Sequence, residues 1–422
     1  AQVLEPVLSQ SAPDPLPLPE KWRDIGFGKR LRDLKKLWSL RSALAELGDD
    51  LPATVELLTA AARPILDRWF ETDVLKATLA TDAIIGAFLA ISSPGSAYVL
   101  LHHVMGEAGG ARGVWGYVQG GMGGLATSLA GACHDLGVEI RRESPVEHIL
   151  THRGRAAGVH LADGTQLDAP IVASSVDAHL TFEKFLGPDE LPEYFRNAVA
   201  KIDYSSASAK INLALAEPPQ FKCIPEKGIG PHHHGTMHIG PTLDYLERAY
   251  DDAKYGRPSE HPILEMTMAT SVDRTIAPPG KHHLSIFVQY APYKLSADAA
   301  NFTGSQPPAL PGVAPTWDDI KEKFADRCIE TLAEYAPNVP AAIEHRQILS
   351  PLDLERTFGI TGGNIMQGAM SPHQLFCFRP VAGWADHRTP LAGLYLCGAA
   401  SHTGGGVLGA CGKNAAEEIL RD

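Results

Sequence analysis

Paired cysteines are missing from this sequence. The six present, Cys133, Cys223, Cys328, Cys377, Cys397 and Cys411, are scattered, with no C-x-x-C among them. That spacing excludes a dithiol redox motif, a thiolate zinc ribbon and a secreted disulfide framework, and leaves reduced thiols of a cytosol or organelle matrix. Long apolar runs are missing too. The strongest, Ala83 to Ile91, falls well short of the roughly 18 to 20 residues that span a bilayer. No signal-peptide pattern opens the chain. The expectation is a soluble protein, peripheral at most on a membrane. Positive charge is in deficit: 37 Lys and Arg against 49 Asp and Glu leave a net charge of −12. Phosphate backbones demand a dense basic surface, so nucleic acid is not an expected partner.

What is present is a globular composition. The 422 residues are 44% apolar and 20% charged, enough to fill large cores in two or three domains. The chain begins at Ala1 and runs into Pro-rich sequence, PDPLPLPE, which we read as a cut or processed end to an incomplete N-terminus. From Gly28 to about Leu101 three stretches carry apolar residues near i, i+3, i+4 and i+7: LRDLKKLWSLRSALAEL, TVELLTAAARPILDRWF and VLKATLATDAIIGAFLAI. Each predicts helix. In the first, Lys29, Arg30, Arg32, Lys35 and Lys36 interleave with Leu31, Leu34, Leu37 and Trp38. Two readings are open, an apolar stripe covering a core beneath a solvated basic face and a helix lying weakly on an anionic membrane.

After Gly113 the texture turns glycine-rich, GVWGYVQGGMGGL, and leads into a helix. Short strand signals follow, VEI (138–140), VEHILTH, and a hairpin turning at Asp163-Gly164. Residues 205–295 supply SASAKINLALA, PILEMTMAT and HHLSIFVQYAPY, which predict a mostly antiparallel sheet, and Trp317 to Tyr335 reads as an amphipathic helix. The chain closes on an apolar strand, Leu394 to Cys397, then Gly398, the cluster Gly404, Gly405 and Gly406, and a last helix.

That closing strand, glycine turn and helix start form an anion cradle, because glycines admit close backbone approach and the helix start favours negative charge. Gly404, Gly406 and Gly409 satisfy G-x-G-x-x-G, but the chain ends at Asp422 with no further strand to bear a ribose-binding acid. It is therefore not a primary Rossmann turn. Taken alone it equally fits a packing turn. The histidines at 232–234 and His238 have metal-like spacing, yet lack a nearby Cys or carboxylate pair, so no metal is expected. Asn364, Gln374 and Arg379 flank a turn where they could orient a substrate beside a cofactor, or seat one domain on another through turn hydrogen bonds.

Several motifs in fixed order resemble one family: GYVQGGMGGLATSLAGACHDLGVEI, SPVEHI, GVHLADG, IVASS, LERTFGITGGNI, FRP and GLYLCGAASHTGGGVLGA. They are similar to the pyridine nucleotide-disulphide oxidoreductase domain-containing protein 2 group, within the phytoene desaturase and FAD-dependent amine oxidase superfamily. The likeness runs from about Pro52 to the end. It implies that Val146 contacts the adenine end of FAD through its backbone and that Gly120, Gly121 and Met122 lie beside the flavin. It further implies that Gly398 and the turn Gly404, Gly405, Gly406 and Val407 follow the ribityl chain and pyrimidine ring. The family's opening strand-GxGxxG-helix has no counterpart here, so the FAD site is expected to be incomplete without such a segment. Thr403 stands where relatives often carry proline.

The resemblance implies an α/β flavoprotein of two domains, an FAD/NAD(P)-binding Rossmann-like part lacking its first strand and helix, and an α+β substrate domain. We expect a linker at 1–27 and helices of the substrate domain at 28–112. The flavin-binding stretches are expected at 113–178 and 345–422, and the sheet of the substrate domain at 179–344. The expected activity is FAD-dependent dehydrogenation of a C–C or C–N bond in an apolar or amphipathic small molecule, with no catalytic side chain assigned. The alternatives are a non-catalytic binding or assembly protein on a flavoenzyme scaffold and an ordered piece of a longer flavoenzyme. A homo-oligomer or protein partner is expected at the face left by the absent segment. Bacterial cytoplasm suits the composition, and a mitochondrial matrix is the alternative.

Overall fold

A computed structural model describes residues 10–12, 27–224, 226–303 and 313–422. Its longer helices are α1 (Phe27–Glu46), α2 (Leu51–Thr59), α3 (Ala62–Trp69), α4 (Asp73–Thr81), α5 (Ser96–Val104), α6 (Met122–Asp135), α7 (Glu193–Val199), α8 (Leu243–Lys254), α9 (Trp317–Tyr335), α10 (Pro351–Phe358) and α11 (Ala410–Ile419). Strands β1 (Glu107–Ala108) and β2 (Ala111–Arg112) form a short ribbon. Strands β3 (Val146–His152), β4 (Arg155–Leu161) and β5 (Gln166–Asp168) make an antiparallel sheet. β6 (Val172–Ser174) pairs in parallel with the late strand Leu394–Leu396.

The largest sheet contains β7 (Ser208–Leu215), β8 (Thr236–Ile239), β9 (Ile263–Thr267), β10 (His282–Gln289) and β11 (Ile343–Leu349) in the order β11-β7-β10-β9-β8. The late partner of β6 is β12 (Leu394–Leu396). All neighbours in the large sheet are antiparallel, as the sequence predicts. Alternation decides its two faces, since successive side chains of a strand point opposite ways. Ile211, Leu213, Leu264, Met266, Leu284 and Ile286 fall on one face and are buried against Trp317, Ile320, Phe324, Cys328 and Leu332 of α9. α9 starts where Thr316 and Asp319 form a capping box, and the Trp317 indole donates to the Pro292 carbonyl at 2.9 Å. Truncating a residue at the centre of this layer, such as Ile211, costs about 2–5 kcal/mol.

A second core joins α3 and α4 to α8 through Leu66, Ala80, Leu243 and Leu246, with Ile84 of the following turn. The predicted 74–91 helix ends instead at Thr81. Gly86 there takes φ +66°, where a side chain would meet Met366 and Ile365, so the chain turns back over the sheet. The helix expected across TVELLTAAARPILDRWF likewise breaks, with Ala60 and Ala61 extended between α2 and α3.

The third core revises the expected domain boundaries. Phe182 and Phe195 pack with Ile149, Leu394 and Leu396, so residues from 179 to about 199 belong with β3 and the β6–β12 pair rather than with the large sheet. At the other boundary, 344/345 falls inside β11, which pairs with β7. The stretch after about 350 is what returns to β6, through β12.

The expected strand at 138–140 is not formed. These residues have no pairing partner among the described residues, and a strand needs one. Their neighbourhood is exposed and apolar: no residue of α6 is buried, Leu129 is 61% exposed and Leu136 83%, and Met122, Leu125, Val138 and Ile140 are exposed with them.

On α1 the core-covering reading does not hold for the described side chains. Leu31, Leu34 and Trp38 are exposed, whereas Lys36 turns inward to pair with Glu418 of α11 at 3.1 Å. The side chains of Lys29, Arg30 and Arg32 lie outside the described residues.

Candidate functional site

β12 delivers the chain to the glycine turn. The Cys397 N–H donates to the Ser174 carbonyl at 2.8 Å, extending the parallel pairing, and a Cβ on Gly398 would collide with the Ser175 carbonyl. Gly398 is thus required for strand packing. Ser401 N–H then donates to Gly398 O at 3.0 Å and Gly404 N–H to Ser401 O at 2.8 Å. Gly404 and Gly406 adopt φ +94° and +142°, and Val407 +55°. The amides of Gly405, Gly406, Val407 and Leu408 donate to no acceptor among the described residues. α11 follows, with Gly409 as its N-cap at φ +67°. A row of unclaimed N–H groups at a helix start fits a ligand edge rich in acceptor oxygens and nitrogens, as a flavin pyrimidine ring is.

Protein neighbours hold this turn from beneath. A Cβ on Gly405 would sit 2.9 Å from Met366 Sδ, and one on Gly406 2.9 Å from His102 Nε2. His102 Nε2 lies 2.8 Å from Gly405 O. Burial lowers the His102 pKa, so the neutral ring donates from Nε2 to that carbonyl. Its Nδ1 is then buried with no partner. The glycines therefore answer first to Met366 and His102, and their outward edge is the part left to a ligand.

Asn364, Gln374 and Arg379 prove to be the seating residues of the two readings. Asn364 donates to Ser205 O at 2.9 Å and accepts from Met366 N–H at 2.9 Å. Gln374 accepts from Asp203 N–H at 2.7 Å and donates to Asp203 O at 3.2 Å. Arg379, fully enclosed, donates to the carbonyls of Ala399 (2.8 Å), Ala369 (3.2 Å) and Gln374 (3.3 Å). Burial pushes its pKa down to about 10. These bonds tie the 361–379 segment to the 203–206 entry of the sheet and to the glycine turn.

The first glycine loop stands apart. Gly120 and Gly121 have φ +77° and +90° with open space where a Cβ would be, and α6 begins at Met122. The Gly120 N–H donates to Asp273 Oδ2 at 2.6 Å, which fixes the loop to the segment after β9. Val146 opens β3 opposite Leu161. No hydrogen bond among the described residues joins Gly120, Met122 or Val146 to the Gly404 turn. Within the histidine cluster, His233 serves local structure: its Nδ1 accepts from Gly230 N–H at 3.0 Å, and its Nε2 lies 2.9 Å from Pro219 O.

The sequence reading missed the second face of the large sheet. Lys210, Phe287, Glu265 and His238 lie in register across β7, β10, β9 and β8. Asn212, Ser285, Thr267 and Thr236 form the next row, and Asn212 donates to Gln347 at 3.0 Å. All of them are half-buried. The Asp82–Ile91 turn roofs one end of this face: Gln289 Nε2 donates to Ile84 O at 2.7 Å, and Thr81, Ile84, Ile263, Glu265, Phe287 and Gln289 line a small hollow. Burial there raises Asp82 to about 6 and, with the Asp82 charge adding to it, Glu265 to about 7. Burial lowers Lys210. The signal was present as single charges alternating with apolar residues in AKINLAL and ILEMT.

A run of contacts links this face to the glycine turn. His103, whose Nδ1 lies 2.8 Å from Val99 O, also approaches the Asp82 backbone, and its neighbour His102 holds Gly405.

The turn, the parallel pair and the large sheet define a flavoprotein of mixed α/β architecture. The model of the family described as flavin containing amine oxidoreductase matches residues 2–289, and the chain belongs to that family. It is 41% identical over 401 residues to pyridine nucleotide-disulfide oxidoreductase domain-containing protein 2 of Rattus norvegicus, an alignment covering 93% of this chain and 66% of that protein. It is 26% identical to a lycopene-forming phytoene desaturase of Pseudescherichia vulneris, covering 78% of this chain and 59% of that one. The structure of an oxidoreductase from Methanosarcina mazei shares the fold with a TM-score of 0.51 and 19% identity, covering 89% of this chain and 72% of that one. The chain thus spans about two thirds of the rat relative. No helix among the described residues is long and apolar enough to cross a membrane.

Proposed function

We propose that this chain supplies the substrate domain and one wall of the flavin site of an FAD-dependent oxidoreductase, which dehydrogenates a C–C or C–N bond in an apolar or amphipathic small molecule. The observation that carries the reading is the row of unclaimed amides from Gly405 to Leu408 at the start of α11, connected through His102 and His103 to a roofed sheet face. When bound, FAD supplies the acceptor for a hydride, so an acid or a nucleophile is not obligatory. The chain's own residues bind and orient. The amides and the α11 dipole offer positive charge to the ring edge, His102 fixes the turn's carbonyl, and the Asp82–Ile91 turn excludes water from the sheet face.

The exposed face of α6 with Val138 and Ile140 favours a companion layer. A parallel pair such as β6–β12 is ordinarily buried between layers, and so large an apolar patch calls for cover. We assign to it a dinucleotide-binding strand and helix, carried by additional sequence or by another polypeptide, whose helix start would hold the FAD pyrophosphate. Gly120, Gly121, Met122 and Val146 then complete the flavin and adenine contacts. The same exposed face supports a second reading, an assembly protein on a flavoenzyme scaffold. The test is FAD titration by fluorescence quenching of the chain with and without a supplied dinucleotide-binding segment. Weak binding alone and tight binding with the segment support the enzyme. Equal affinity in both removes the assigned role of the segment, and no binding in either favours the scaffold.

A further inference from the structure

A solvated polar face is the ordinary state of an antiparallel sheet. The second face of the large sheet departs from it in three ways. Lys210, Glu265, Phe287 and His238 are half-buried rather than exposed. Two buried polar atoms on this face have no partner among the described residues, Ser208 Oγ, on a residue only 2% exposed, and His238 Nδ1. Such orphans are uncommon in native proteins and call for an explanation. The Lys210 ammonium makes no hydrogen bond or ion pair among the described residues, although Glu265 lies in the same register row, two strand spacings or about 10 Å away. Phe287 stands between them as an apolar platform.

We infer that this face binds the polar end of the substrate, and that the complementary group is a carboxylate on an apolar body, held by Lys210 with Ser208, two residues away on the same face of β7, as a supporting polar contact. The inference rests on the oxidoreductase reading and names its substrate class. A half-buried ammonium without a counter-ion is costly, and an incoming carboxylate removes that cost. Glu265, two strand spacings away, makes no direct contact with that ammonium, and burial beside Asp82 raises its pKa to about 7, so that its protonated form can donate a hydrogen bond to the same ligand. The apolar body would extend over Phe287 toward the roofed end at Ile84, which the His103–His102 path joins to the Gly405 turn.

The probes are octanoate, octylamine and octanol, titrated calorimetrically into the 422-residue chain at pH 7. Saturable binding of octanoate at one site is expected, with octanol and octylamine at least tenfold weaker. Lys210→Met should weaken octanoate at least tenfold and Lys210→Arg less than threefold, while Lys35→Met, on exposed α1, should leave it unchanged. Circular dichroism keeps the Lys210 variants interpretable by showing that they remain folded. Preference for octylamine, an unchanged affinity in folded Lys210→Met, or no saturable octanoate site overturns the inference. Because the titration contains no flavin, its outcome is separate from that of the FAD titration: octanoate binding with no flavin binding removes only the oxidoreductase reading.

Discussion

Replacing Glu265 by Gln should stabilise the protein at alkaline pH and matter little at acidic pH. Burial between the sheet and the Asp82–Ile91 turn, with Asp82 beside it, raises this carboxyl from 4.5 to about 7. Between those two values the folded chain holds a proton that the unfolded chain has released, so stability falls as pH rises through the window and the full penalty persists above about 7. A change of that size corresponds to about 3 kcal/mol, and the residue's half-buried setting reduces it to about 1–3 kcal/mol. Glutamine keeps the shape and has no charge to desolvate. Urea unfolding at pH 5, 6, 7 and 8, followed by tryptophan fluorescence with Trp317 in the adjoining core as a reporter, should show Glu265→Gln gaining on the unsubstituted chain by that amount between pH 5 and pH 8. Parallel stability curves across the range would refute the buried-carboxyl account.

Gly406→Val should abolish flavin retention in the chain supplied with a dinucleotide-binding segment. Its φ of +142° excludes a branched residue, and the new Cβ would press on His102 Nε2; retained flavin at full occupancy by absorbance would make the turn purely structural. Arg388→Met should destabilise by about 3 kcal/mol, measured by urea midpoint, because Glu418 is left with fewer charge partners. Burial opposes ionisation of Glu418, but the Ser11 hydroxyl, Lys36 and Arg388 outweigh it and hold the carboxyl at about 2. That stabilisation is present above the ordinary 4.5 and is lost as pH falls toward about 2, so the gap between variant and parent should close at low pH. For weak attachment of α1 to anionic liposomes, the informative variant is Trp38→Ser with Lys35→Glu, since Lys36 is engaged by Glu418; unchanged co-sedimentation removes the membrane reading.

Periodicity revealed those elements whose burial it records directly. The strands of AKINLAL and HHLSIFVQ alternate because one face meets α9, and α9 itself was bounded by its cap at Thr316 and by Tyr335. It failed where tertiary contact overrides propensity. The 74–91 stretch is apolar throughout, yet Gly86 turns it under Met366 and Ile365. VEI at 138–140 has strand composition without a strand neighbour. Gly398 and Gly404 to Gly406 were legible as a turn, but their dependence on Met366 and His102 arises from residues far away in sequence. Asn364, Gln374 and Arg379 show the same limit: residue type alone fits a substrate contact or a backbone clamp, and only the carbonyls around Arg379 decide for the clamp.

The two halves of the candidate site differ in how they are held, and this bears on how flavin and cover are coupled. The sheet face is braced by a full core behind it and by the Gln289 bond to the turn above it. α6, in contrast, buries none of its residues, although Gly120 is fixed to Asp273 at its start. A helix of this length is marginal in water without packing, so the layer placed over Leu125 and Leu129 would stabilise α6 and the Gly120–Gly121 loop together. Any ligand that uses that loop must then bind more tightly when the layer is present, and the layer more tightly when the ligand is bound, because the two draw on one folding equilibrium. The Gly405–Leu408 amides, braced through His102 and Arg379, do not depend on it. Flavin recognition would therefore divide between the Gly405–Leu408 wall, which this chain forms in advance, and the Gly120–Met122 side, which forms only with its cover.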